Sequence, residues 1–233
     1  MLLLDMVHNI AMALDCGATV DLVALDMAKA FDTVLHELLI LKLKSYGVST
    51  QVVDWFRAFL KDRKQFVVLN GIKSSVVDVS SGVPQGSVSG PILFLIYVND
   101  LTDEISSKSG LFADDSSIYR PITCREDRLA LQEDLDKVTQ WCDKWKMKLN
   151  TSKTKVLSLS RNKVPDEPTY HIGCDTLQTV DKLGVSIDNK LKWGDHILKL
   201  NTKTNSDVRF INRILHDTSP HTKEVVYNTL VKS

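Results

Sequence analysis

The chain has 233 residues, 43% of them hydrophobic, enough to bury a substantial core in one large or two small domains. Its 29 Lys and Arg balance 29 Asp and Glu, so global charge points to no polyanionic partner and any nucleic-acid footprint must be local. Cys16, Cys124, Cys142 and Cys174 are widely spaced with no CxxC pair, which argues against a structural zinc site or a disulfide framework. No secretory signal is read at the MLLL start, and the longest apolar run, 91–98, falls far short of the roughly 20 residues of a membrane span, so a soluble intracellular protein is expected.

In chain order, residues 20–26 (VDLVALD) are a mostly apolar, β-branched run, read as a buried strand that ends on the carboxylate of Asp26. Residues 34–46 space their leucines helically, with Gly47 as a stop. The runs 65–69 and 72–79 flank Asn70-Gly71, a strong hairpin signal because both residues tolerate positive φ. Residues 80–90 (SSGVPQGSVSG) form a bare loop that opens, with Pro91 in its first turn, into an apolar helix over 92–101. Two strands follow at 110–113 and 116–119, with Asp114-Asp115 at the bend between them. The longest helical pattern spans 125–149, its stripe formed by Leu131, Leu135, Val138, Trp141 or Cys142, Trp145 and Leu149, with Asn150 capping its end. Strand-like runs at 156–159, 170–172, 177–180 and 183–187 precede two helical patterns beyond Gly194. This interleaving predicts an α+β fold, a ferredoxin-like antiparallel sheet with helices on one face.

Two features carry chemistry. From 144 to 163 the chain holds seven Lys or Arg and no Asp or Glu, which makes this stretch either a phosphate-contacting face or an ordinary solvated one. Asp26, Asp114 and Asp115 each fall at the edge of a predicted strand. If those strands are sheet neighbours the three carboxylates converge, and converging carboxylates repel unless cations intervene, for which magnesium is the natural partner. An isolated Asp-Asp in a bend is otherwise ordinary turn chemistry.

LDMAKAFD (25–32), SGVPQGSVSGPILF (81–94) and FADD (112–115) occur in that order, followed by LNTSKTKVLSLS (149–160) and LGVSID (183–188). They resemble motifs A, B, C and D and the primer-grip region of reverse transcriptases, specifically of the non-LTR (LINE-type) retrotransposon branch. The resemblance implies a reverse transcriptase palm over 1–188, including a primer-grip hairpin, and a partial helical thumb over 189–233, with the fingers largely missing. It implies RNA-directed DNA polymerase activity by two-metal nucleotidyl transfer, with two Mg2+ ions (Mn2+ possible). The implied partners are an RNA template, a DNA primer, dNTPs and the fingers and endonuclease segments of a parent polyprotein, working in cytoplasm and nucleus as a ribonucleoprotein.

By the same resemblance Asp26, Asp114 and Asp115 form the metal-binding catalytic triad, with the Met27 carbonyl as a further ligand. Phe31 falls at the aromatic steric gate, the alternative being a core Phe. Gln85 and Gly86 pack against incoming nucleotide and template. Lys153 approaches the triphosphate as a general acid, the alternative being an ordinary solvated lysine. Leu183 and Gly184 belong to the primer grip. Lys29 has no side-chain role, Asp32 is structural, and Trp141 and Trp145 are core. Two rival readings remain at this stage: a catalytically inactive nucleic-acid-binding remnant, and a palm-fold nucleotidyl cyclase, against which the PQG loop and Phe31 count.

Overall fold

The computed structural model describes residues 2–112, 115–161, 168–180, 182–183, 187–215 and 218–230. Two compact units divide the chain, Met1–Val180 and Asp181–Ser233.

In the first unit, helix α1 (Leu2–Asp15) leads into strand β1 (Thr19–Asp26), a short helical turn α2 (Ala30–Thr33), and helices α3 (His36–Ser45) and α4 (Thr50–Leu60). Four short strands follow, β2 (Lys64–Gln65), β3 (Val68–Leu69), β4 (Ile72–Lys73) and β5 (Val77–Asp78). They form the predicted hairpin: Leu69 pairs with Ile72 across Asn70 and Gly71, whose φ values of 51° and 81° are those of a two-residue primed turn. Helix α5 (Ser89–Val98), strands β6 (Lys108–Phe112) and β7 (Asp115–Ile122), helix α6 (Arg125–Trp145) and strand β8 (Lys155–Leu159) come next, then the small strands β9 (His171–Ile172), β10 (Asp175–Thr176) and β11 (Gln178–Thr179). The second unit holds β12 (Lys182–Leu183) paired with β13 (Ile187–Asp188), and helices α7 (Gly194–Ile214) and α8 (Pro220–Leu230).

The central sheet has the order β11-β8-β1-β7-β6. β1 runs antiparallel to both β7 and β8, and β6 antiparallel to β7, but β11 joins β8 in parallel, so the sheet is mixed rather than antiparallel. Helices also cover both faces, not one. Side chains alternate along a strand, and Val23, Leu25, Ile118 and Val156 point into one cluster with Leu39, Leu43, Leu93, Phe94, Leu131, Leu135 and Val138 of α3, α5 and α6. The opposite face carries Val20, Leu22, Tyr119, Leu157 and Leu159, all buried, and meets α1, where the Ser117 hydroxyl lies 3.6 Å from the Met6 sulfur. A strand apolar on both faces needs cover on both, which explains why 20–25, Asp21 apart, reads as an apolar run rather than an alternating one.

Two buried carboxylates brace this architecture. Asp21, fully buried, accepts from the Ser158 hydroxyl at 2.6 Å and the Tyr170 hydroxyl at 2.8 Å, and faces Arg128 of α6 at 3.4 Å. Asp134 accepts from the backbone N–H groups of Ser106 and Ser107 at 3.0 and 2.8 Å and from the Ser106 hydroxyl at 3.0 Å. Although burial opposes its ionisation, these donors hold its carboxyl below the ordinary range.

Helix α6 ends earlier than its apolar stripe suggests. Lys146 turns to φ 57°, the Met147 N–H closes on the Cys142 carbonyl at 2.9 Å, and Met147 folds back into the core. Asn150 is therefore no helix cap; it begins a separate turn before β8. Trp141 and Trp145 are only partly buried, with their rings around the buried Lys42 ammonium, which lies 4.8 and 3.9 Å from their centroids and bonds the Tyr97 carbonyl and Asp100. The four cysteines are free, and only Cys142 is buried. Among the described residues no helix is long and apolar enough to cross a membrane.

Candidate active site

The strand β1 ends on Asp26, and its ladder partner across β7 is Asp115, the first residue of that strand. The Asp26 N–H and C=O both point the other way: the N–H donates to the Thr154 hydroxyl at 3.2 Å and the C=O accepts from the Asn150 N–H at 2.7 Å. With its backbone groups spent on the β8 side, Asp26 faces Asp115 as a non-hydrogen-bonded pair, the narrow kind, in which Cα atoms lie about 4.5 Å apart and side chains are closest. Both carboxylates project from the same face, and neither is fully buried.

Two adjacent carboxylates in this geometry repel each other unless a cation lies between them. Hard, oxygen-only donors on a rigid sheet end suit Mg2+, which binds through one or two carboxylates and keeps the rest of its shell for water and phosphate. Among the described residues no third His, Cys, Asp or Glu joins them to complete a cluster. Asp114 lies outside the described residues; it directly precedes Asp115, whose partner on β6 is Phe112. Backbone groups of an extended chain alternate sides. Since Leu149 bridges Met27 through bonds made by Asp26 and Ala28, the Met27 carbonyl turns toward the Asp115 side, where a metal-facing oxygen would have to be.

Motif B is knitted to the end of motif A. The Val83 N–H donates to the Phe31 carbonyl at 2.8 Å, the Gly82 N–H to the Val34 carbonyl at 2.8 Å, and the Ser81 hydroxyl to the Asp32 carbonyl at 2.9 Å. Gly82 is required by this approach: at φ 90° a Cβ on it would fall 2.9 Å from the Asp32 Cα and 3.0 Å from the Asp32 carbonyl oxygen. Gln85 is exposed, and its amide donates to the Asp32 carboxylate at 2.8 Å. A carboxylate can only accept, so the Gln85 carbonyl oxygen is turned away from Asp32 and left to meet a donor. Asp32, expected to be structural, has the partner of its carboxylate in the motif B loop. Together Lys29, Asp32, Arg63, Asp78 and Gln85 line a groove of about 710 Å³ beside this loop. Gly86 follows at φ 79°.

Phe31 is half-buried and stacks on Phe94 of α5, ring centroids 4.5 Å apart. It therefore has both a packed and an exposed side. Lys153 is exposed, its N–H held by the Asn150 carbonyl at 3.1 Å. Leu183 sits in the β12–β13 pair, and Gly184 lies outside the described residues. Among the described residues of the basic run 144–163, Lys144, Lys146, Lys148 and Lys153 are exposed, Arg161 pairs with Asp15, and Lys155 bonds the Gln178 side chain at 2.6 Å.

Paired carboxylates at the end of adjacent antiparallel strands, on a chain whose next turn is bonded to a glycine-bearing loop, define a class of sheet-based site with hard oxygen donors. The sequence profile described as "Reverse transcriptase (RNA-dependent DNA polymerase)" matches residues 12–187. The chain is 32% identical over 204 residues to the RNA-directed DNA polymerase from mobile element jockey of Drosophila funebris, an alignment that covers 82% of this chain and 22% of that protein. It is 31% identical over 209 residues to the probable RNA-directed DNA polymerase from transposon BS of Drosophila melanogaster, covering 81% and 22%. A solved structure of apo telomerase from Candida tropicalis shares the fold at a TM-score of 0.52 and 11% identity, over 75% of this chain and 39% of that one. The chain belongs to the reverse transcriptase family, related to the polymerases of non-LTR retrotransposons. It spans about a fifth of the length of these curated relatives.

Proposed function

We propose that this chain is the catalytic palm of a non-LTR retrotransposon polymerase that extends a primer 3′-hydroxyl with dNTPs on an RNA template. The observation that carries the reading is the narrow Asp26–Asp115 pair at the sheet end, in a chain that belongs to the reverse transcriptase family.

In this reading Asp26 and Asp115, with Asp114 beside it in sequence, hold two Mg2+ ions. When bound, such ions lower the pKa of the attacking hydroxyl and neutralise the leaving pyrophosphate. The chain's own residues do the positioning. Phe31, backed by Phe94, presents a fixed ring edge that excludes a ribose 2′-hydroxyl and so selects dNTPs. Gln85, steered by Asp32, offers a carbonyl oxygen to nucleotide or template next to the bare backbone of Gly86. Lys153 supplies a proton to the pyrophosphate leaving group. Residues 1–188 serve as palm, Leu183 and Gly184 hold the primer end, and residues 189–233 belong to the thumb.

Primer extension is assayed in a polypeptide that includes the segments flanking the matched region in the relatives. Synthesis on an RNA template should depend on Mg2+ and drop by at least about a thousandfold in Asp115→Asn and in Asp26→Asn, the scale expected when charge stabilisation of phosphoryl transfer is lost. Extension that persists in both variants rules the assignment out. Phe31→Ala should leave dNTP incorporation measurable and admit ribonucleotides.

A further inference from the structure

The turn between α6 and β8 grips Asp26 from behind. The β1–β8 register pairs Ala24 with Lys155, and continuing it would set Leu25 against Thr154 and Asp26 against Lys153. The ladder stops short of that. In place of a backbone carbonyl, the side-chain hydroxyl of Thr154 receives the Asp26 N–H, and the Asp26 carbonyl is held by the N–H of Asn150, four residues earlier. The Ala28 N–H is fastened to the Lys148 carbonyl at 2.8 Å. The residues on both sides of the Asp26 side chain are thus fixed by one segment, 148–154.

That segment is itself closed. The Asn150 carbonyl accepts from the N–H groups of Lys153 and Thr154 at 3.1 and 2.8 Å, and its Oδ1 accepts from the Ser152 hydroxyl at 2.7 Å. Thr154 is fully buried, so water cannot replace its hydroxyl as acceptor. A backbone donor that loses a buried acceptor is left unpaired at a cost or shifts to find another, and a shift or loosening at the Asp26 N–H carries that residue's own carboxylate with it. Carboxylates that share a cation with ligand distances near 2 Å tolerate displacements of only a few tenths of an ångström.

We propose that Thr154 is a positioning residue: its buried hydroxyl replaces a ladder bond at the end of β1, sets the Asp26 carboxylate against Asp115, and lets the chain leave the sheet so that exposed Lys153 rides on the same turn. The inference rests on the reading of Asp26 as a cation ligand.

The test measures Mn2+ affinity of the 233-residue chain from the spin-resonance signal of free ion, together with amide hydrogen exchange at Asp26, in the native chain and in Asp26→Asn, Thr154→Val and Thr154→Ser. Asp26→Asn should weaken Mn2+ binding at least about tenfold. Thr154→Val should weaken it about three- to tenfold and speed exchange of the Asp26 amide by a similar factor, while Thr154→Ser, which keeps the hydroxyl, stays within about twofold of native. Exchange along 20–25 should be unchanged in all of them. Native Mn2+ affinity in Thr154→Val, with Asp26→Asn impaired, overturns the positioning role; so does faster exchange spread evenly along β1, which marks a general loosening. Native affinity in Asp26→Asn, or no Mn2+ binding by the native chain, overturns the metal assignment instead. If Thr154→Val fails to fold, Thr154→Cys, whose thiol is a poor acceptor of similar size, replaces it with the same expectations.

Discussion

At the scale of single residues, Asp32 and Gly82 connect motif A to motif B by different means. Asp32 acts through an exposed side chain, so Asp32→Ala should change stability by no more than about 0.5 kcal/mol in denaturant titration. Freed of its partner, the Gln85 amide can turn either way, and KM for the nucleotide should rise about three- to tenfold with a smaller change in kcat. Gly82 acts through having no side chain at all. Gly82→Ala combines a positive φ with contacts near 3 Å to backbone, and should cost about 2 kcal/mol or more in the same titration. Asp134 adds a dependence on pH. Its native pKa is depressed, so its contribution to stability is complete above the unfolded carboxylate range near pH 4 and is lost as pH falls through the lower native value. Stability of Asp134→Asn, followed by thermal melting from pH 7 downward, should fall less steeply with acid than that of the native chain.

At the scale of elements, the sheet strands were legible where composition and burial agree. Residues 20–26 read as a strand because β1 is covered on both faces, and Asn70-Gly71 announced its hairpin through two residues that accept positive φ. Helix α4 went unread although Val53, Phe56 and Leu60 fall at steps of three and four on its core side; Val52 and Trp55 are exposed. The stripe of α6 overran its end because Leu149 packs against the same core after the chain has already turned at Lys146. The position of Asp26 and Asp115 at strand ends was legible; their narrow pairing was not, since it depends on which way the Asp26 backbone groups face. The buried Lys42 is a further element-level feature that composition hides. Burial lowers its pKa, and Asp100 opposes that shift. Asp100→Ala should cost about 3–5 kcal/mol by leaving an ammonium in the core. Part of that loss should return as pH rises toward the range where the buried amine is neutral in the native state but still charged in the unfolded one, which denaturant melts between pH 7 and 10 will show.

For the whole molecule, the parallel seating of β11 on β8 was beyond local sequence, because strand direction leaves no periodic signature; the cover of both sheet faces was legible only in the mostly apolar run 20–25. The first unit has its own core, drawn from α3, α4, α5, α6 and the sheet. A chain ended after Val180 should therefore melt in a single cooperative transition. The order in which the central strands join has a temporal meaning. β1 lies between β7 and β8, partners made about 90 and 130 residues later. During synthesis at about 5–20 residues per second, the first aspartate waits roughly 5 to 18 seconds for β7 and roughly 7 to 26 seconds for β8. Until β7 has been made Asp26 has no carboxylate to face, and until β8 and the turn before it follow, its backbone N–H and C=O lack their partners, so a chain that stops between the two strands carries the acidic pair without the segment that fixes it.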